Sequence, residues 1–353
     1  MSFKSKVNVY RRKLTHSLTF GLGKNSPQTM QKKAHLFKMK RVLISRPNHR
    51  LGNMLMVTPL VEEICENYPD CTIDLFVKGK IAPIIFQNYP QINQIIELPK
   101  KPFKEFGKYL AVWIKLRRKK YDLVINVEKG SSSGRISALI ARSEFKFFGD
   151  DFEGLTEKYS DYEHMAKFPV YNFRQFLRVL NQKVEEREVP KLSLRLDKKE
   201  IAEGKIKLDE ITKDTKRETI AFFTYATGTK CFPVEWWDEF YQKFYPKYSK
   251  EFNLIEILPV ENISQLDNKL PAFYSKDIRE IASVMENCKL LLAADSGMMH
   301  LGCASQVPTI GLFSVSNSKM YAPYGGQNIV LDMNKQTQED IIRQMDKIII
   351  SKN

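Results

Sequence analysis

Short apolar segments alternate with amphipathic ones along the chain from residue 41 onward. The amphipathic segments, such as residues 53–68 and FKEFGKYLAVWIKLRRKK, repeat apolar positions at helical spacing. The apolar segments have the length and composition of buried strands: RVLIS, TIDLFV, QIIEL, YDLVINV and EFKFFG. Strands that alternate with helices indicate a parallel sheet covered by helices. Residues 41–190 are therefore predicted to form a Rossmann-like, doubly wound α/β domain.

The same alternation restarts after a more polar stretch at residues 150–218. The predicted strands there are TIAFFTY, LIEIL, KLLLAAD and PTIGLF. They predict a second Rossmann-like domain over residues 191–335, and residues 336–353 contain a final helix that could pack back on the first domain. A chain of 353 residues exceeds the usual single core, which agrees with two domains. Two such domains leave a cleft, and ligands of open parallel sheets bind beyond the carboxyl ends of the strands.

The excess of positive charge is confined to the beginning of the chain. The net charge is +15, yet residues 1–61 hold thirteen Lys and Arg and no acid, whereas the rest holds 43 basic against 41 acidic residues. Residues 1–40 are interpreted as a basic arm. It could be an extension that is disordered or packed on the domain, it could dock on an anionic membrane surface, or it could bind nucleic acid. No recognised nucleic-acid motif accompanies the charge, so no nucleic-acid partner is expected.

Apolar runs, cysteines and histidines narrow the class of protein. No run approaches the ~20 apolar residues of a membrane helix, and the first residues lack the apolar block of a secretory signal, so a cytoplasmic protein is expected. The five cysteines show no CxxC spacing and are predicted to be buried free thiols. The five histidines are scattered, so neither a metal site nor a cofactor is expected.

The segment KLLLAADSGMMHLGCA carries the most specific pattern in the chain. Asp295 ends a predicted strand, Ser296 and Gly297 open a helix, and His300 lies in its first turn. The free N–H groups and positive dipole of a helix start suit a diphosphate, and glycine permits close approach of the backbone. An aspartate at the strand tip could accept hydrogen bonds from a sugar hydroxyl. The alternative is an ordinary helix cap with a buried histidine.

The order of motifs along residues 40–350 resembles that of glycosyltransferase family 9, the ADP-heptose:lipopolysaccharide heptosyltransferases and their relatives. The segments that carry the resemblance are RLGNMLMVTPLVEEI, YPDCTIDLFV, YDLVINV, TGTKCFPVEWW and AADSGMMHLGCASQVPTIGLFSVSNSKMYAPYG. The resemblance implies a GT-B fold, two Rossmann-like domains facing across a cleft, with no metal required. It implies that the second domain holds the nucleotide-sugar through these residues: Thr227, Thr229, Lys230, Glu261, Asp295, Ser296, Gly297 and His300.

The resemblance also implies that the first domain binds the acceptor and that a Gly-Asp pair after the first strand supplies the general base. This chain has Gly52-Asn53 there. Asparagine can orient a hydroxyl but cannot take its proton, and a positioned base is typically worth 10²–10⁴ in rate. Another group, His49 or Glu128, could be the base. Alternatively, the acceptor could need little assistance because the donor bond breaks early, or the protein could have lost catalysis and kept binding.

The cations of the same turn fit an anionic acceptor. Arg46 and Arg50, with His49 between them, would grip a phosphorylated or carboxylated sugar, although both arginines could instead form salt bridges between domains. The expected function is inverting, metal-independent transfer of heptose from ADP-heptose to an anionic lipopolysaccharide-core acceptor. The enzyme would contact the inner face of the inner membrane through residues 1–40. The alternative is a catalytically altered nucleotide-sugar-binding protein on the same scaffold.

Overall fold

The computed structural model describes residues 27–100 and 104–350, which form two α/β units. The first unit runs to His49 and resumes over Pro59–Pro190. The second unit comprises Arg50–Thr58 and the chain from Lys191 onward. Residues 1–26 of the predicted basic arm lie outside the described part of the chain.

The first unit is built on a parallel sheet of five strands in the order β3-β2-β1-β4-β5. Its strands are β1 (Arg41–Arg46), β2 (Thr72–Lys78), β3 (Ile92–Leu98), β4 (Lys120–Asn126) and β5 (Arg142–Phe147). The helices up to the end of this unit are α1 (Pro27–Lys32), α2 (Leu51–Leu55), α3 (Thr58–Asn67), α4 (Ala82–Ile85), α5 (Phe106–Arg118), α6 (Ser132–Ile140), α7 (Leu155–Lys158) and α8 (Phe168–Val179).

The central position of β1 explains its apolar sequence. Its neighbours on both sides are parallel, with Val42 aligned to Ile73 of β2 and to Leu123 of β4. A strand with neighbours on both edges and helices on both faces is buried throughout, so it reads as a continuous apolar run. Leu116 of α5 packs in the same core cluster as the strand residues. The doubly wound sheet predicted from the sequence is confirmed.

The segment predicted as one helix over residues 53–68 forms two. Helix α2 ends at Leu55 and α3 begins at Thr58, whose hydroxyl donates to the carbonyl of Leu55 at 2.7 Å. Pro59 lies in the first turn of α3, where its missing N–H costs nothing. In an uninterrupted helix its ring would clash with the carbonyl of Leu55, so the helix breaks there.

Residues 27–40 pack on the first unit. Met30 of α1 is buried, and Lys33 forms an ion pair with Glu144 at 2.5 Å. The ring of Phe37 lies edge-on to Phe145 and Phe176, with centroids 5.5 Å and 5.7 Å away. The described part of the predicted arm is therefore an extension packed on its own domain.

The second unit has a parallel sheet of six strands in the order β11-β10-β9-β6-β7-β8. Its strands are β6 (Thr219–Phe223), β7 (Asn253–Ile257), β8 (Ala272–Phe273), β9 (Leu290–Ala294), β10 (Thr309–Phe313) and β11 (Ile329–Asp332). Its helices after Lys191 are α9 (Lys198–Thr212), α10 (Val234–Tyr248), α11 (Ile278–Glu286), α12 (Gly297–Ala304), α13 (Ser318–Tyr321) and α14 (Gln338–Ile350). Within the described residues, none of the helices has both the length and the apolarity that crossing a bilayer requires.

Aromatic side chains fill the core of the second unit. Phe244 of α10 stacks on Phe222 of β6 with centroids 4.4 Å apart, and Trp237 is fully buried in the same cluster. The buried residues of α14, including Ile341 and Met345, belong to this cluster too. From the sequence, this helix could pack back on the first domain. In the structure its apolar face lies in the core of the second unit.

Candidate donor site and acceptor-side residues

The start of α12 lies at the carboxyl edge of the second sheet. Asp295 follows β9 directly, and its N–H donates to the carbonyl of Leu312 in β10 at 3.0 Å. Ser296 has extended backbone and precedes the helix, but its side chain does not cap it. The Ser296 hydroxyl oxygen is buried and has no hydrogen-bond partner among the described residues. A buried hydroxyl without a partner is costly, which favours a ligand that completes its hydrogen bonding.

An ion pair joins two of the residues predicted for the donor site. Lys230 lies in a 3₁₀ turn, Gly228–Lys230, that follows β6, and its Nζ lies 2.8 Å from Oδ2 of the buried Asp295. Because β6 and β9 are neighbouring parallel strands, the segments after their carboxyl ends meet at one edge of the sheet. The pair holds a cation at the start of α12, where a diphosphate would need it.

The turn before Lys230 presents polar groups to solvent. Thr227, Gly228 and Thr229 are exposed, and Gly228 has φ of +67°, a left-handed conformation that favours glycine. A Cβ on Gly228 would meet nothing within 4 Å, so backbone conformation and not space requires the glycine. Two hydroxyls, a left-handed glycine and a lysine are the components of a phosphate-binding turn.

Helix α2 packs directly on the start of α12, within the second unit. A Cβ on Gly52 would lie 2.7 Å from Cδ2 of His300 and 3.4 Å from Cα of Gly297. In return, a Cβ on Gly297 would lie 3.2 Å from Cβ of Leu51. The two glycines therefore allow the helices to touch, and His300 is buried against α2. The role of Gly52 is to permit this approach.

Asn53 follows Gly52 on α2 and belongs to the same unit as the Lys230–Asp295 pair. Its side chain is half-buried and forms no hydrogen bond with any residue that the structure describes. Arg50 is exposed and directly precedes α2. The sequence pattern placed both residues in the first domain, whereas the turn after β1 carries them into the second unit.

Arg46 and Glu128 are paired with each other in the first unit. Arg46 ends β1 and is buried, and its guanidinium forms an ion pair with the carboxylate of Glu128, which follows β4. Protonating Glu128 would leave a buried arginine without its counter-charge, which is strongly unfavourable. The contact therefore argues against Glu128 as a general base and gives Arg46 a structural partner.

His49 lies beside a basic cavity of the first unit. It is exposed, and a Cβ on Gly79 would lie 3.3 Å from Cβ of His49 and 2.7 Å from Cε of Lys100. Gly79 and Lys100 follow β2 and β3, and both line a cavity of about 640 Å³ at the carboxyl ends of these strands. The charged side chains that line it are Lys80, Glu97, Lys100, Glu105, Lys108 and Lys115. Four lysines against two glutamates give the lining of this cavity a net positive charge.

A buried carboxylate anchors the loop that carries Glu261. Glu256 lies in β7, accepts a hydrogen bond from the hydroxyl of Thr224 at 2.5 Å, and accepts another from Ser264. Burial raises the pKa of the Glu256 carboxyl, an effect that these hydroxyls oppose. Glu261 itself is exposed on the loop. The network was missed from the sequence, although a glutamate inside the apolar strand LIEIL was a signal for a buried polar contact.

The predicted site residues divide between the two units. The second unit holds the predicted donor residues and two residues that follow β1: Arg50, Asn53, Thr227, Thr229, Lys230, Glu261, Asp295, Ser296, Gly297 and His300. The first unit holds Arg46, His49 and Glu128. Nowhere in residues 27–100 and 104–350 do three His, Cys, Asp or Glu side chains converge as a metal ion would require.

Two α/β units with all-parallel sheets are the architecture of the GT-B fold, as predicted. The chain is similar to the solved structure of a family 9 glycosyl transferase from Veillonella parvula, with a TM-score of 0.69 and 19% identity over 89% of this chain and 98% of the other. It is also similar to the Escherichia coli heptosyltransferase WaaC with ADP, with a TM-score of 0.64 and 16% identity over 87% of this chain and 99% of the other.

Residues 275–348 match the model of glycosyltransferase family 9 (heptosyltransferase). They include the Asp295–His300 motif and helix α12. The chain is also 37% identical over 79 residues to lipopolysaccharide heptosyltransferase 3 of Escherichia coli K12, a match that spans 22% of this chain and 23% of the relative. The chain therefore aligns with about a quarter of that relative. The resemblance to glycosyltransferase family 9 is confirmed over residues 275–348.

Proposed function

We propose that the protein is an inverting heptosyltransferase that transfers heptose from ADP-heptose to an anionic lipopolysaccharide-core acceptor without a metal ion. The observation that carries the proposal is the Lys230–Asp295 ion pair at the start of α12, beside the unpartnered Ser296 hydroxyl. The family match over this segment and the similarity to a heptosyltransferase solved with ADP support a nucleoside diphosphate as the ligand.

The chemistry follows from where charge develops. When the bond between the anomeric carbon and the diphosphate oxygen breaks, negative charge grows on the leaving diphosphate. Lys230 and the free N–H groups of α12 would stabilise that charge, as a metal ion does in other transferases. The exposed hydroxyls of Thr227 and Thr229 would donate to the phosphates. The carboxylate of Asp295 would accept hydrogen bonds from a sugar hydroxyl.

The acceptor hydroxyl would attack the anomeric carbon from the face opposite the diphosphate, which inverts its configuration. Asn53 would orient that hydroxyl, and His49 is the candidate for taking its proton, because Glu128 is paired with Arg46. The lysine-rich cavity beside His49 would hold the phosphate or carboxylate groups of the acceptor. Such an acceptor is a glycolipid, so we place the enzyme in the cytoplasm at the inner face of the inner membrane.

An alternative function is a nucleotide-sugar-binding protein on the same scaffold, suggested by Asn53 at the position of the usual aspartate. The matches to heptosyltransferases do not favour it. Both functions require a donor site, and they differ in whether sugar is transferred.

Thermal unfolding with ADP in the presence of EDTA tests the donor site. A ligand at 100 times its Kd stabilises a protein by about 2.7 kcal/mol, so the melting temperature of the wild type should rise clearly. Lys230→Ala and Asp295→Ala should lose most of this shift. Lys269→Ala, which breaks another Lys–Asp pair of the second unit, is the matched control and should respond like the wild type. An unshifted wild type, or a full shift in Lys230→Ala, would refute the assigned site.

A further inference from the structure

Helix α5 carries an apolar stripe that no part of the described chain covers. In the described residues of the first unit, five large apolar side chains are exposed, and three of them are Phe106, Leu110 and Ile114. They are 60%, 45% and 53% exposed. Their spacing of four residues puts them on one face of the helix. This stripe is a candidate interaction site.

Basic residues are frequent along the segment that carries this stripe. Residues 104–120 contain seven Lys and Arg and one acid, Glu105. Lys108 and Lys115 lie on α5 itself and line the cavity described above, so the stripe and the cavity share one helix. Arg117 and Arg118 are exposed in its last turn. An apolar face bordered by cations is the composition of a helix that lies in the interface of a membrane.

We propose that α5 docks the protein on an anionic phospholipid surface, with Phe106, Leu110 and Ile114 inserted among the acyl chains and the surrounding cations on the headgroups. The charge of each candidate partner decides which one fits the stripe. The basic arm of residues 1–26 and a second copy of α5 would both bring positive charge onto a positive surface, whereas anionic headgroups neutralise it.

Vesicle co-sedimentation of the full-length protein tests the proposal without any donor, so its result is independent of the proposed transfer. The wild type should bind vesicles that contain phosphatidylglycerol and should bind phosphatidylcholine vesicles much more weakly. Leu110→Ser/Ile114→Ser should weaken the partition to phosphatidylglycerol vesicles by about tenfold or more. The control Ile206→Ser/Ile350→Ser changes two side chains that are 59% and 71% exposed in the second unit and should bind like the wild type.

Other occupants give different results. The arm would be the membrane contact, and the proposal would be overturned, if two results were found together. Vesicle binding would be unchanged in Leu110→Ser/Ile114→Ser and lost in Arg11→Gln/Arg12→Gln/Lys13→Gln. Equal binding to neutral vesicles would also overturn it, because the cations would then have no role. A change of molar mass in light scattering, confined to the stripe variant, would identify a second copy of the chain as the occupant.

Discussion

The proposed mechanism depends most on Asn53, because the resemblance places a general base at its position. Its half-buried amide can orient a hydroxyl, so Asn53→Ala should lower kcat about tenfold, the equivalent of one lost hydrogen bond, with little effect on the KM for the donor. Asn53→Asp should change kcat by less than about tenfold, since the site is arranged around a neutral amide. Steady-state kinetics measures both. A gain of about 10² or more in Asn53→Asp would instead mean that the wild type lacks a base.

Glu256 makes the stability of the second unit depend on pH. Burial raises the pKa of its carboxyl above the ordinary 4.5, so the folded protein holds this proton more tightly than the unfolded chain. The stability that the group contributes is then complete below the unfolded pKa and is lost as the pH rises through the folded pKa. Urea unfolding from about pH 4 to about pH 8 should therefore show Glu256→Gln gaining stability relative to the wild type as the pH rises.

The exposed Glu251→Gln is the control for Glu256 and should keep the pH dependence of the wild type. A Glu256→Gln protein whose stability parallels that of the wild type at every pH would contradict a raised pKa of the Glu256 carboxyl.

Single residues of the candidate site could be predicted where local sequence determines them. Asp295 and Ser296 could be predicted because an apolar strand ends there, directly before a helix. Lys230 could be predicted because it lies in a polar turn after another apolar strand. The pairing of Arg46 with Glu128 could not be predicted, because each residue alone has the pattern of a ligand-facing group. Only the order of β1 and β4 in the sheet brings these two side chains together.

The contact of helix α2 with α12 joins the turn after β1 to the rest of the second unit. Gly52→Ala would place a methyl group 2.7 Å from the His300 ring, so the helices must separate. Overpacking of this kind typically costs about 1–3 kcal/mol, and urea unfolding should show a loss of that size together with weaker ADP binding.

Two further variants isolate the steric cause at Gly52. Gly107 of α5 has nothing within 4 Å of its added Cβ, so Gly107→Ala should be neutral or stabilise by up to about 1 kcal/mol. Gly52→Ala/His300→Ala should lose less free energy of unfolding than the two single variants lose when their losses are added. Additive effects, or a Gly52→Ala protein as stable as the wild type, would show that this contact does not hold the helices together.

Elements with strong periodicity could be predicted from the sequence, and those set by tertiary contacts could not. The central strands β1, β4, β6 and β9 are confirmed because both of their faces are buried, which leaves continuous apolar runs. Helix α8 was missed inside a stretch that reads as polar: its Arg174 is buried in an ion pair with Glu63, at 2.8 Å, and not exposed. The break between α2 and α3 was signalled by Pro59 but was not recognised.

At the scale of the whole molecule, each unit has its own chemistry. The second unit contains the proposed nucleotide-sugar site, and it includes Asn53 because Arg50–Thr58 belongs to it. The first unit contains a basic cavity and, on α5, an apolar stripe among cations. This division suits a transferase whose donor is a soluble nucleotide-sugar and whose acceptor is an anionic glycolipid. Periodicity and charge could predict the two units but not which unit receives the turn after β1.

An assay of heptose transfer distinguishes the proposed transferase from a protein that only binds the nucleotide-sugar. The full-length protein would be incubated with ADP-heptose and a heptose-deficient lipopolysaccharide core in the presence of EDTA, and the products would be analysed by mass spectrometry. The account predicts an acceptor heavier by one heptosyl residue, together with released ADP, and a large loss of both products in Lys230→Ala. Binding of ADP-heptose with no heavier product from any anionic core acceptor would contradict it.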